Sequence, residues 1–311
     1  LKGTVQYDKD CFEVSSHLIY SPKANSSCLQ NEFEFNVKLD FGKYSNRLDS
    51  YGEILNPKTI VLGDSMAMGW GVSNNDIFTA ELNRNNLKVL NLSVSSYGTA
   101  REFLFLKKWA TNNPNKYKEV DTIIIQYCDN DLNENKQFLS DKYSFNNPSE
   151  IKLRKYVRAL DFKNKHHLHF NENIKIKTYP LIIANFYKRL YALSFSKISS
   201  IFRKEKNINF ISYEHPETFK KIIINFTNLL KNKRVIVFIA NSHGENNIIR
   251  YNEFEKIFSK EFNSDLASIE IISPKDTSLI EGTDSYFILD DHINAKGHKN
   301  LGKALLKRIK N

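Results

Sequence analysis

Residues 59–72 read TIVLGDSMAMGWGV. A β-branched apolar run stops at Gly63-Asp64-Ser65, and two more glycines, Gly69 and Gly71, follow close behind. A short apolar run closed by glycine predicts a buried strand, TIVLG (59–63), that ends in a tight turn. In open α/β folds ligands bind at the carboxyl ends of the strands. Ser65 at that point is therefore either a nucleophile or only the cap of the next helix.

The pattern repeats outward from this stretch. DIFTAELNRN (76–85) has helical spacing, LKVLNL (87–92) reads as a strand, AREFLFLKKWATN (100–112) as a helix, and DTIIIQYC (121–128) as a strand buried on both faces. After a lapse between 136 and 213 the alternation resumes. PETFKKIIINFTNLLKN (216–232) is a predicted helix, RVIVFIA (234–240) a strand, NIIRYNEFEKIFSKEF (247–262) a helix, SIEIIS (268–273) a strand and NAKGHKNLGKALLKRIKN (294–311) a terminal helix. Strands alternating with helices predict an α/β fold, a flavodoxin-like three-layer sandwich around a central parallel sheet. Residues 1–55, polar and turn-rich with short apolar pieces, form an expected β-rich lead-in packed on that core. Residues 56–311 form the expected catalytic domain, with a long insertion at about 136–213.

The chain has 311 residues, 41% of them hydrophobic, which suffices for a substantial core. No uncharged apolar stretch reaches the roughly 18 residues that a membrane span needs. The nearest, YPLIIANFYKRLYALSF (179–195), is interrupted by Lys188-Arg189 and reads as an amphipathic helix. The first residue is Leu1, so a signal peptide or membrane anchor removed from the native start is an expectation. Cys11 and Cys28 lie in the polar lead-in, either paired in an oxidising compartment or as two free thiols, and Cys128 reads as a small core residue. The net charge of +10 is concentrated: residues 136–213 carry 16 Lys/Arg and 5 Asp/Glu. Such a block attracts anionic partners or is a solvated face. It contains no nucleic-acid-binding motif, so no nucleic-acid partner is expected.

A serine needs a base to take its proton. In ILDDHINAKGH (288–298) Asp290 stands two residues before His292, on a loop ahead of the last helix. Asp290 is suited to hold the ring of His292, and His292 to receive the Ser65 proton; the bland alternative is an exposed histidine beside acids that cap the helix. His298 is the weaker base candidate. Oxyanion donors are available at two strand ends: NLSVSSYGT (91–99), with its glycine, and YCDNDLNEN (127–135), with the Asn130 amide. Asn, Asp and Gly are also what ordinary turns contain.

GDS at 63–65, NLSVSSYGT at 91–99, CDND at 128–131 and DDH at 290–292 together resemble the four blocks of the SGNH (GDSL-type) hydrolases. The longer phrase GDSMAMGWGVSNNDIFTAEL resembles the sub-group associated with bacterial envelope polysaccharides. The resemblance implies Ser65 as nucleophile, His292 as base and Asp290 as its orienter. It implies an oxyanion hole from the Ser65 N–H, the Gly98 N–H and Asn130, with Ser96 and Asp291 as alternates and Asp64 shaping the turn. Cys128 stands where the third block usually has Gly, Ser96 where the second often has Gly, and one residue rather than two separates acid from base, a spacing found in polysaccharide acetyltransferase-like branches.

The expected function is serine-dependent acyl-ester chemistry, as esterase or O-acetyltransferase, on a cell-envelope carbohydrate or another small ester. A separate membrane acyl-donor protein is a candidate partner, and the expected location is extracytoplasmic. Alternatives are a non-catalytic glycan-binding or assembly protein on the same scaffold and a lipid esterase using residues 179–202 at an interface. No cofactor and no metal are expected: His166, His167 and His169 of HHLH do not share a helix face, and GWG (69–71) lacks phosphate-loop spacing. The aromatics of 186–195 read as a packed helix face. The oligomeric state is left open.

Overall fold

The computed structural model describes residues 10–15, 18–32, 34–141, 213–261 and 269–310. The HHLH cluster, the 179–202 stretch and nearly all of the basic insertion lie outside the described residues.

In the lead-in, β1 (Phe12–Ser15) pairs antiparallel with β2 (Ile19–Pro22), and β3 (Ser26–Asn31) with β4 (Asn36–Phe41). Then come β5 (Thr59–Leu62), α1 (Ser65–Met68), α2 (Phe78–Arg84), β6 (Val89–Asn91), α3 (Thr99–Asn112), α4 (Pro114–Lys118), β7 (Thr122–Tyr127) and α5 (Asp131–Ser140). After the insertion follow α6 (Glu214–Asn225), β8 (Arg234–Ile239), α7 (Asn247–Glu261), β9 (Ile269–Ile272) and α8 (Ala295–Lys310). The five strands β6-β5-β7-β8-β9 form one sheet in that order, every neighbouring pair parallel.

The side-chain period of two makes the layers. Ile60, Leu62, Ile123, Ile125, Val235 and Val237 join one core cluster with Phe103 of α3, Phe219 of α6 and Phe254 of α7. The alternate residues Val61, Ile124, Ile236 and Phe238 join a second with Phe78 of α2 and Leu301 and Leu305 of α8. A strand buried on both faces has no room for a polar–apolar alternation, which is why TIVL and TIIIQY read as unbroken runs.

The lead-in shares the first of these cores through Phe12, Tyr20, Leu39 and Phe41. Arg47 fastens it to the edge of the sheet. Its backbone N–H donates to the Asn91 carbonyl at 2.9 Å. Its guanidinium, 1% exposed, donates to the Leu48 carbonyl (2.5 Å), the Val72 carbonyl (3.1 Å) and Asn74 Oδ1 (2.5 Å). Burial pushes the Arg47 pKa down to about 10 against the nearby charges of Asp40 and Asp49. Cys11 and Cys28 form a disulfide, which resolves the choice that the sequence left open.

Two elements differ from the sequence reading. The helix expected over 216–232 breaks at Phe226, where φ is −116° and ψ 19°, and resumes only for Thr227–Leu230. There the Asn225 amide donates to the Lys221 carbonyl (2.7 Å) and the Thr227 hydroxyl to the Ile224 carbonyl (2.8 Å), so local side chains compete for helix carbonyls. The strand expected over 87–92 shrinks to Val89–Asn91 because Asn86 and Lys88 take left-handed φ values of 62° and 48°.

Candidate active site

Strand β5 lies between β6 and β7, so the sheet order reverses at its carboxyl end, where open α/β sheets hold their crevice. The chain turns there at Gly63. A Cβ on Gly63 would stand 2.6 Å from Ala67 Cβ and 2.8 Å from Gln126 Oε1, so no larger residue fits. Gln126, fully buried on β7, holds the turn: its Oε1 accepts the Asp64 N–H at 2.8 Å. Asp64 then caps α1, its Oδ1 accepting the Met66 N–H at 2.8 Å. Ser65 is thereby the first residue of a one-turn helix that ends at Gly69 (φ 84°). Among the described residues no acceptor takes the Ser65 N–H, one of the orphan donors of a helix start.

The structure brings Ser65, His292 and Asp290 together. Ser65 Oγ lies 2.7 Å from His292 Nε2, and His292 Nδ1 lies 2.6 Å from Asp290 Oδ1. An ionised carboxylate only accepts, so Nδ1 carries the proton and Nε2 of the neutral ring is the acceptor for the Ser65 hydroxyl. Asp290 Oδ1 also accepts the His292 backbone N–H at 3.0 Å. Asp291 Oδ1 is farther from Nδ1, at 3.3 Å, and its Oδ2 accepts the Ser242 hydroxyl at 3.1 Å. Of the two acids, Asp290 makes the shorter contact to the ring. The Trp70 ring lies 5.6 Å from that of His292.

Burial favours the neutral ring of His292, but the hydrogen bond and charge of Asp290, then the charges of Asp291 and Asp64, outweigh it and raise the pKa above its ordinary value. Burial likewise pushes the Asp290 carboxyl up, and the bonds and charge of His292 outweigh it, for a net lowering. Asp64 is raised by burial despite its bond from Met66 and the charge of His292. His298 is unsuited to the same task. It is fully buried, its Nδ1 accepts the Phe78 N–H at 3.3 Å, and burial, with the charges of Arg47 and His292, pushes its pKa down to about 3.

The oxyanion donors named from sequence fare differently. Asn130 is exposed at the start of α5, and its Nδ2 donates to Asp64 Oδ2 at 3.4 Å, which brings it to the turn that carries Ser65. Its loop is pinned by Asp129, whose N–H donates to Asn241 Oδ1 (2.6 Å) and whose carboxylate receives Arg250 Nε (2.7 Å) and Nη2 (3.1 Å). The Gly98 N–H donates to Glu134 Oε1 at 2.9 Å, on a carboxylate that also pairs with Arg101. Ser96 takes the left-handed conformation, φ 60°. Cys128, buried, is not among the residues of positive φ, so its place demands no glycine.

Asp290, Asp291 and His292 are, among the described residues, the one group whose ligand atoms cluster within 4.8 Å as a metal would need. Both His292 nitrogens are already engaged, with Ser65 and Asp290. Gln126 and Trp70 were not singled out from the sequence. The signal for the first was a lone amide inside the apolar run TIIIQY; that for the second was an indole between Gly69 and Gly71.

Among the described residues no helix is long and apolar enough to cross a membrane. No protein-family model matches the sequence, and no curated protein is significantly similar to it. Among solved structures, the chain is similar to a member of the lipolytic protein G-D-S-L family from Veillonella parvula DSM 2008, at 12% identity over 81% of this chain and 98% of that one, with a TM-score of 0.41. It is also similar to the lipase Lip_vut3 from goat rumen metagenome, at 14% identity over 80% of this chain and 95% of that one, with a TM-score of 0.39.

Proposed function

We propose that this protein carries out serine-dependent acyl-ester chemistry on a carbohydrate of the cell envelope. The observation that carries the reading is the line from Ser65 Oγ through His292 Nε2 and Nδ1 to Asp290 Oδ1, at 2.7 and 2.6 Å. Ser65 attacks the ester carbonyl while His292 takes its proton. The negative charge that develops on the carbonyl oxygen falls to the Ser65 N–H and the Asn130 amide. Collapse expels the alcohol, which receives the proton from His292, and leaves acyl-Ser65. Water then gives an esterase, and a sugar hydroxyl an O-acetyltransferase, with His292 again the base. In this reading residues 56–311 are the catalytic part and 1–55 the lead-in packed on it.

The finer claims have their own support. The GDSMAMGWGV phrase and the one-residue spacing between Asp290 and His292 resemble the polysaccharide-directed branch. The Cys11–Cys28 disulfide suits an oxidising, extracytoplasmic location. The test is acetate release from O-acetylated envelope glycans and acetyl transfer from an activated acetyl ester to their deacetylated forms, both followed by mass spectrometry. Turnover in either direction supports the reading. Absence of both, with turnover of long-chain esters on vesicles, would replace the glycan by a lipid substrate.

A further inference from the structure

The turn between β3 and β4 reaches across to the loop that carries Asp290 and His292. There the Glu34 carboxylate receives three successive backbone N–H groups: Ile288 on Oε1 at 2.7 Å, and Leu289 and Asp290 on Oε2, each at 2.6 Å. Successive N–H groups converging on one anion form a nest, and bonds to an ionised acceptor are about twice as strong as neutral ones. Among the described residues no other acceptor takes these three N–H groups. The third belongs to Asp290 itself, whose Oδ1 receives both the ring and the backbone N–H of His292.

The same hairpin also grips the loop that carries Trp70. Gln30 Oε1 accepts the Gly71 N–H at 3.0 Å, and Gly71 adjoins Trp70, which lies against His292. The Phe35 ring packs 5.0 Å from that of Phe287, and a Cβ on Gly71 would lie 2.7 Å from the Phe35 ring. One hairpin therefore meets both loops that flank the base. The stretch 288–290 has no regular structure of its own to fix Asp290, and Ile288 is 68% exposed.

We propose that Glu34 is a positioning residue for the acid–base pair, acting through Asp290, so that the lead-in completes the active site. This rests on the acyl-serine reading above. A displacement of about 1 Å at such a site can cost on the order of a hundredfold in rate.

The test compares wild type, Glu34→Ala and Glu34→Gln in hydrolysis of a small acetyl ester, with thermal melting and the NMR signal of the His292 Nδ1 proton as companions. Glu34→Ala is expected to lower kcat about tenfold to hundredfold with KM within about twofold. The Nδ1 proton signal should shift upfield or be lost to exchange. Glu34→Gln keeps one acceptor oxygen and should fall between the two. A folded Glu34→Ala with wild-type kcat and an unmoved Nδ1 signal overturns the proposal. So does a lower kcat that follows a lower melting point while the Nδ1 signal stays in place. If Glu34→Ala does not fold, Glu34→Gln decides: a reduced kcat with a shifted signal supports positioning, and wild-type values of both reject it. If wild type itself turns nothing over, the acyl reading fails, and the Nδ1 signal still decides whether Glu34 positions the pair.

Discussion

His292 Nε2 stands 2.7 Å from Ser65 Oγ, across 227 residues of sequence. The contact exists because β5 sits at the centre of the reversal in strand order and the loop before α8 returns to its carboxyl end. The ring is oriented from behind by Asp290, which leaves Nε2 as the acceptor.

The pH dependence follows from the charges around His292. The base must be neutral to accept a proton, and its pKa is raised above the ordinary 6.5 by Asp290, Asp291 and Asp64 in excess of the burial that lowers it. kcat/KM should therefore rise with pH through a midpoint above 6.5. In Asp290→Asn the largest influence opposing burial is gone, so the midpoint should move to lower pH. A midpoint that stays in place would remove His292 as the titrating base.

The two neighbouring acids should separate in a mutant pair. Asp290→Asn should lower kcat by about a hundredfold to ten-thousandfold, because the ring loses both its orientation and the partner for its charge. Asp291→Asn, at 3.3 Å and bonded to Ser242, should cost no more than about fivefold. Steady-state kinetics on a small ester distinguishes them, and equal losses would mean that the acids share the role.

Gln126 should matter to both stability and rate. Gln126→Leu leaves the buried Asp64 N–H without its acceptor, at a cost of about 1–3 kcal/mol. The Ser65 turn would also lose its tie to β7. Urea unfolding should show the loss, and kcat should fall more than KM changes.

Glu102 offers a stability change with a defined pH window. It is fully buried on α3, and among the described residues neither of its oxygens has a hydrogen-bond partner. Burial, then the charges of Asp131, Asp64 and Glu134, raises its pKa well above 4.5. The folded state keeps this proton to a higher pH than the unfolded chain, which releases it around 4.5, so this group's contribution to stability falls as pH rises above 4.5. Glu102→Gln should raise Tm at pH 7 by at least about 2 °C, and the gain should vanish as pH falls to about 4.5. A lower Tm at pH 7 would mean that the ionised form is held by the protein.

The disulfide closes a loop between residues 17 apart in sequence. Replacing Cys11 and Cys28 by Ser should cost about 3 kcal/mol by the loop-entropy argument. Denaturant melts of the double variant against the oxidised protein measure it.

Much of this was legible in the sequence, for physical reasons that can be named. TIVL, TIIIQY and RVIVFI are buried on both faces, and that environment leaves unbroken β-branched runs. Ser65, Asp290 and His292 stood out because each lies at a strand end or in a loop, where a polar side chain needs an explanation. What was not legible depends on partners distant in sequence. The Gly98 N–H is taken by Glu134, 36 residues later, and no local pattern announces that. Glu34 holds N–H groups some 254 residues away, and its own surroundings, NEFEFNVKL, read only as part of a β-rich lead-in. The break at Phe226 was hidden because Asn and Thr in a helical run signal competition for carbonyls but not where it prevails.

The central claim is that Ser65 is a nucleophile activated by His292. It is tested most directly by acetate release from a small activated acetyl ester, comparing wild type with Ser65→Ala and His292→Ala. The wild type should turn the ester over, and each variant should lose at least about a hundredfold with its melting temperature retained. Variants that hydrolyse the ester as fast as the wild type would contradict it. So would a folded wild type that neither turns over the ester nor is labelled at Ser65 by a serine-directed covalent probe.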